Sequence, residues 1–379
     1  MIGKITIFGY CLLFIFFFSA CNENDERPNL AIPANYEVTN YTSNATIQIA
    51  LVNQLIALTD EAKRGRAGTS VTKTALDNLF TASNPSLEAE ATTYYKGRLQ
   101  GTNGWFDELA KASGGTYTPG TPTGEGGVYG SESSAYLFDE NGLEYEQLIE
   151  KGQFGATHYN HAISLISESM TEATADQLLA IFGATPSFPN SGSGNIAVNI
   201  RDKAMANYAA RRDKNDGNGF YSQIKAQFIK LQAALKAGTE YNQERDEAIA
   251  EIKLLWEKVN FATVINYCHT VTSTLSETNL TDNQKAAALH AYGECVGFTH
   301  GWRTISQDHK KITDTEIDEI LTLFNAPQNA TPTSYKFVTD AVNELPKLTQ
   351  VINKLKAIYG FSTQEVEDFK NNWVSVQNR

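Results

Sequence analysis

Apolar residues recur at three- and four-residue steps along almost the whole chain, which is the spacing of one face of an α-helix. Between Asn44 and Ala62, the side chains of Ile47, Leu51, Leu55 and Leu58 keep that step and are expected to point inward together. A second helix is predicted from Lys73 to Ala82. A short one is predicted after Asn103, with Trp105, Phe106 and Leu109 on its inner side. Later helices carry their own start signals. Thr281 with Gln284, Thr313 with Glu316 and Ser362 with Glu365 each fit a capping box, in which two side chains satisfy each other's backbone amides. Gly183, Gly217 and Gly238 stand where helices are expected to stop. No run alternates convincingly with period two; the nearest, NIAVNIR at 195–201, is expected to open a helix. The stretch 113–134 is rich in Gly, Thr, Ser and Pro and reads as a surface loop, with a binding lid as the alternative. The expected fold class is all-α, a bundle of about ten helices packed as one body or as two abutting bundles.

Two of these helices carry glycines on their inner faces. From Leu143 to Met170 one long helix is predicted, with Tyr145, Leu148, Gly152, Tyr159, Ile163 and Ile166 on the core side. Gly152 and Gly155 each cost a helix about 1 kcal/mol relative to alanine, so their use is to let another backbone come close. From Thr281 to Ile305, Gly293, Gly297 and Gly301 step by four and form a smooth ridge. A tight crossing is expected at these patches, with the two helices as natural partners. The windows GATHYNHAIS (155–164) and GFTHGWRTIS (297–306) agree at five of ten positions, a weak two-fold internal repeat.

The chain begins differently. Lys4, the apolar run from Ile5 to Phe18 and the small pair Ser19-Ala20 have the three parts of an export signal. Cys21 follows at the position where a lipoprotein signal is cut and the cysteine acylated; an ordinary secretory signal with an unrelated cysteine is the alternative. The expected organisation is a lipoprotein signal peptide over 1–20, a lipidated polar tether over 21–35 and an all-helical domain over 36–379. The formal net charge of −12 argues against nucleic acid as a partner. Beyond the signal and Cys21 only Cys268 and Cys295 remain, too few for a disulfide scaffold. Antiparallel pairing of their helices sets Cys268 about one turn from Cys295, which leaves a disulfide between them open.

The stretches GLEYEQLIEKGQFGA (142–156) and AALHAYGECVGFTHG (287–301) resemble a family of Bacteroidetes lipoproteins built on a domain of unknown function. NYEVTNYTSNATIQIALVNQL (35–55) and TKTALDNLF (72–80) are similar to it too, and Glu-Tyr-x-Gln-x-x-x-Lys-Gly at 144–152 is its specific part. The acidic start of the tether, Glu23, Asp25 and Glu26, resembles tags that send some such lipoproteins to the cell surface. The resemblance implies a protein lipid-anchored at the outer membrane, on the cell surface or the periplasmic face. A more distant likeness is to imelysin-like proteins, helical envelope proteins linked to iron uptake, some of them metallopeptidases. It implies an outer-membrane uptake system as partner. Their signature is Gly-x-His-x-x-Glu; here Gly155 and Gly297 stand three residues before His158 and His300, and His161 or Arg303 replaces the Glu.

On the 143–170 helix Lys151 and His158 lie within about 20° of each other, with Glu144 just beyond and His161 on the same edge. His158 and His300 occupy equivalent places in the two similar windows, and Glu294 is near the second. His158, His161, His300, Glu144 and Glu294 are therefore the candidate ligands of a divalent metal, the one cofactor the sequence suggests. The alternative places them on the polar boundary of amphipathic helices. His290 and Glu294, one turn apart, read as a local ion pair. DKNDGNG (213–219) fails the calcium-loop pattern, since position five is Gly217 and position twelve Ile224, and is expected to be a turn. With no catalytic signature along the chain, no catalytic residue is assigned. Two functions follow: an envelope binding or accessory protein linked to iron or metal acquisition, or an imelysin-like metallohydrolase.

Overall fold

The computed structural model describes residues 27–379 apart from Ser83, Pro122 and Thr123. The expected signal peptide over 1–20, Cys21 and the acidic residues Glu23, Asp25 and Glu26 lie outside the described residues. Helices of seven residues or more are numbered in chain order. They are α1 Thr46–Lys63, α2 Lys73–Phe80, α3 Thr93–Gln100, α4 Trp105–Ala112, α5 Tyr145–Lys151, α6 Asn160–Ser167, α7 Glu172–Phe182, α8 Ala204–Arg211, α9 Phe220–Ala237, α10 Asn242–Leu275, α11 Asp282–His300, α12 Asp314–Leu323 and α13 Ala341–Tyr359. The chain is predominantly all-α. No helix among the described residues is long and apolar enough to cross a membrane.

The axis of the bundle is α10, whose 34 residues span about 50 Å. Val259, Phe261, Ala262, Val264, Ile265 and Cys268 are all buried, together with Asn260 and Thr263, so this half is enclosed around its circumference and mostly apolar. It packs on α9, α11 and α13. One contiguous apolar core runs from Tyr36 to Val374, which joins the helices into one body rather than two bundles. Capping boxes close the starts of α11 and α12 and of the short helix Thr363–Asp368, at Thr281, Thr313 and Ser362. Gly183 and Gly238 end α7 and α9 with positive φ.

Four expectations need correction. Ile47 is exposed, while Leu51, Leu55 and Leu58 of α1 are buried; the inward face starts one turn later than its spacing implies. Residues 195–201 open no helix: they form turns, and α8 begins at Ala204. The 113–134 stretch is not simply loop. Gly127–Tyr129 (β1) pairs antiparallel with Tyr136–Phe138 (β2), with Val128 opposite Leu137. Tyr117, Tyr129 and Phe138 form a small core of their own on Ala286 and Leu289 of α11. Three-residue strands are too short to show an alternating pattern, and their aromatics were hidden among turn residues. Finally, the long helix predicted over 143–170 is interrupted by a π-helical turn, Phe154–Tyr159, between α5 and α6. A π turn inserts an extra residue and rotates everything after it, which brings both His158 and His161 inward.

The first described residues, within the segment expected to be a tether, are docked on the helical body. The guanidinium of Arg27 lies over the Tyr241 ring at 4.6 Å and pairs with Glu244. The Tyr241 hydroxyl donates to the Pro28 carbonyl at 3.1 Å.

Candidate functional site

The glycine-bearing helices do cross each other. A Cβ on Gly297 would stand 2.5 Å from the carbonyl oxygen of Gln147, and one on Gly155 would stand 2.6 Å from that of Gly301. Backbone therefore lies directly on backbone between α5 with its π turn and the C-terminal half of α11. At that separation polar side chains flanking the contact cannot avoid each other. Glu144, Gln147 and Lys151 from the α5 side meet His290 and Glu294 from α11.

They form a buried ionic chain. Glu144 accepts from Arg66 Nη2 at 3.0 Å and from His290 Nδ1 at 2.7 Å. The opposite ring nitrogen of His290 faces Glu294 at 3.3 Å. Arg66 also pairs with Glu146 through Nε, and Lys151 pairs with Glu150 at 2.7 Å. The Tyr208 hydroxyl donates to Glu294 at 3.5 Å. Tyr136 of β2 is stacked between two cations, with its ring 4.2 Å from the His290 ring and 4.8 Å from the Arg66 guanidinium. The strand just after the glycine-rich stretch thus supplies an aromatic wall. Glu144 and Glu146 are 0% and 1% exposed, and Lys151 only 5%, values that charged side chains reach only when paired.

Protonation follows from these partners. Burial works against charge on His290, but Glu144 and Glu294 outweigh it and raise its pKa to about 10, so it is an imidazolium at neutral pH. Burial likewise penalises the Glu294 carboxylate, and Lys151 and His290 more than offset it, to about 2. Glu146 goes the other way: burial and then the neighbouring Glu144 push it up to about 8. Lys151 is held charged by Glu150 and Glu294 against its own burial.

Beside this chain a cavity of about 290 Å³ opens between α1, α5, α8 and α11, lined by Lys63, Arg66, Lys151, Arg211 and His290 and by Glu150 and Glu294. Glu144 and Glu146 stand behind it. Three groups on its wall are incompletely satisfied. The Oε1 atom of Gln147, a residue 1% exposed, has no hydrogen-bond partner. Arg211 stacks on the Tyr208 ring at 4.8 Å and forms no ion pair among the described residues. Lys63 approaches Glu150 only to 3.9 Å.

The five sequence-selected ligands do not converge. Glu144 and Glu294 lie in the charged chain, one on each side of His290. With a carboxylate at both nitrogens and the proton retained, that imidazolium has no lone pair for a metal. His161 binds Gln48 at 2.9 Å and Glu90 at 2.7 Å. His158 is buried with neither ring nitrogen partnered, and burial, then His161, depress its pKa to about 3. His300 packs edge-on against Trp105 and contacts the Tyr94 hydroxyl through Nδ1 at 3.0 Å; burial, then Arg98 and Arg303, bring it to about 3 as well. Among the described residues no group of three or more His, Cys, Asp and Glu side chains is arranged to hold a metal ion. The His290–Glu294 pair is present, and it is more than local because Glu144 ties it to the opposite helix. Cys268 and Cys295 are free thiols in contact, with sulfur atoms 3.9 Å apart, closer than the turn of separation expected.

Sequence reasoning missed Lys63, Arg66, Arg211 and Tyr136, which reach the site from distant elements. Gln147 could have been found, since it belongs to the Glu-Tyr-x-Gln-x-x-x-Lys-Gly stretch. No family model, curated protein or solved structure matches the chain.

Proposed function

We infer that the protein is a lipid-anchored binding protein of the cell envelope whose pocket between α5, α8 and α11 takes a small polar ligand. The observation that carries the reading is the wall itself. A bundle needing only stability would place apolar side chains at this crossing, because a buried ionic network is often no more stabilising than a hydrophobic one. Here charged groups are held rigidly around an opening, with an acceptor left free at its base. Its volume of about 290 Å³ is at the lower end for ligand sites, which suits a solute of a few carbons rather than a polymer. The signal-like start and Cys21 support anchorage, and the likeness to Bacteroidetes lipoproteins supports the outer membrane, in an accessory role beside an uptake system.

Native mass spectrometry of protein solubilised from its own membranes tests the pocket. A small-molecule adduct is expected on the wild type. It should be absent from Asn207→Trp, whose indole would fill the cavity from α8. Identical spectra would remove the pocket as a binding site. Cys21→Ser should leave the membrane fraction, and retention there would remove the anchor.

A further inference from the structure

We propose that the ligand is a small oxyanion, a carboxylate or phosphate, seated against Arg211 and Lys63, with a hydroxyl or amine on the same molecule donating to Gln147. The proposal rests on the pocket being a binding site and adds the class of molecule. Its argument is an imbalance of partners. Five cationic side chains line the cavity against two carboxylates, Glu150 and Glu294. Arg66, Lys151 and His290 are matched by Glu144, Glu146, Glu150 and Glu294. Arg211 forms no ion pair among the described residues and feels Glu294 and Glu150 only at a distance, and Lys63 has only a loose partner at 3.9 Å.

A guanidinium presents parallel donors that fit two oxygens of one carboxylate or phosphate, and such charge-assisted bonds are the strong ones. The Tyr208 ring, 4.8 Å from the Arg211 guanidinium carbon, holds that cation beside the cavity before anything binds. A cationic ligand would meet Arg211 and Lys63, the two like charges that no carboxylate closely answers. A neutral sugar would leave Arg211 unfilled. The bare amide oxygen of Gln147 supplies the second condition: a carbonyl oxygen can only accept, and the Gln147 amide nitrogen already donates to Glu146 at 3.0 Å. The ligand must therefore carry a donor as well as an oxyanion. The chain as a whole carries a net charge of −12, so a cation-rich pocket is a local inversion of a surface that otherwise repels anions.

The experiment is titration calorimetry on the mature protein with sodium malate, sodium phosphate and galactose, at ionic strength matched with sodium chloride. Malate and hydrogen phosphate each carry an oxyanion and a hydroxyl donor, on a longer and a shorter frame; galactose carries donors alone. Malate is expected to bind, with phosphate weaker, and galactose not at all. Phosphate binding more tightly than malate would assign the phosphate arm. Arg211→Gln should weaken binding about tenfold or more. Lys63→Gln, at a side chain 41% exposed, serves if that variant does not fold. Gln147→Leu should reduce malate affinity, because it removes the acceptor for the malate hydroxyl. Binding of galactose alone, binding of none of the three, or anion binding indifferent to both cation variants would overturn the proposal. The pocket reading fails separately, through the Asn207→Trp spectra.

Discussion

Helix α11 carries two histidines ten residues apart, the half-buried His290 and the buried His300, with crossing glycines between them. Their proton affinities are driven in opposite directions. His290 lies between Glu144 and Glu294 and keeps its proton to about pH 10. His300 lies among Trp105, Tyr94 and two arginines and gives its proton up to about pH 3. Burial disfavours charge in both; at His290 the neighbouring carboxylates reverse that effect, and at His300 the neighbouring arginines add to it. One half of the crossing is thus an ionic site with an opening, and the other is core that happens to contain imidazole. Counting histidines near glycines cannot separate the two, whereas counting carboxylates within reach of each ring does.

The sharpest way to break the contrast is to remove the imidazolium. His290→Leu leaves Glu144 and Glu294 buried without their shared cation, and breaking a buried pair in this way costs about 3–5 kcal/mol. His300→Leu loses one contact with Tyr94 and is expected to cost about 1 kcal/mol. Chemical denaturation of both variants should show that gap. Equal losses would mean the carboxylates find other partners and the ionic chain is not a unit.

The next largest effect tests the crossing that presses the two halves together. Gly297→Ala places a methyl 2.5 Å from the Gln147 carbonyl oxygen, so backbone must move, at about 1–3 kcal/mol. Gly97 in α3 has nothing within 4 Å of its absent Cβ, and Gly97→Ala should instead stabilise by about 0.5–1 kcal/mol. Opposite signs in thermal melts are expected, and a neutral Gly297→Ala would remove the close contact.

Much of this was legible in the chain. The helical period, the capping boxes and the glycine ridge act within a few residues, so sequence spacing reports them directly. Glu144 and Glu294 were legible as polar residues beside those glycines. Arg66 and Arg211 were not, because nothing local marks which distant cation the fold will bring to a carboxylate. The histidines were misplaced for a definite reason. The π turn at Phe154–Tyr159 breaks the 100° progression on which helical-face arguments rest, so His158 left the polar edge it should have shared with Lys151.

A third effect, smaller per residue, appears in the pH dependence of stability. His158 and His300 have folded pKa values of about 3, below the unfolded value near 6.5. Between those limits the unfolded chain binds protons that the folded chain refuses, so stability falls as pH drops below about 6.5, by up to about 1.4 kcal/mol per histidine per unit. His290 has the opposite sign. Its contribution is fully present below about 6.5 and is lost as pH rises towards 10. The double variant His158→Leu/His300→Leu should flatten the acid limb of a stability–pH curve measured by urea denaturation and leave the alkaline limb alone. An unchanged acid limb would mean these rings take up protons in the folded state.

The smallest effect is the most discriminating for His158. Both its ring nitrogens are buried without partners, and an unpaired buried polar group costs about 1–3 kcal/mol. Leucine has no such groups and nearly fills the space, against which stands the loss of contact with the Phe154 ring, 6.0 Å away between centroids. His158→Leu should therefore melt within about 1 kcal/mol of the wild type at pH 7, on the stabilising side, and retain the ligand adduct that Asn207→Trp loses. If it melted normally but lost the adduct, the aromatic half would share in binding, and the division of the crossing into site and core would fail. If it were strongly destabilised with the adduct intact, the imidazole would hold a partner such as an ordered water, and His158 would join His290 as a residue fixed by what it binds.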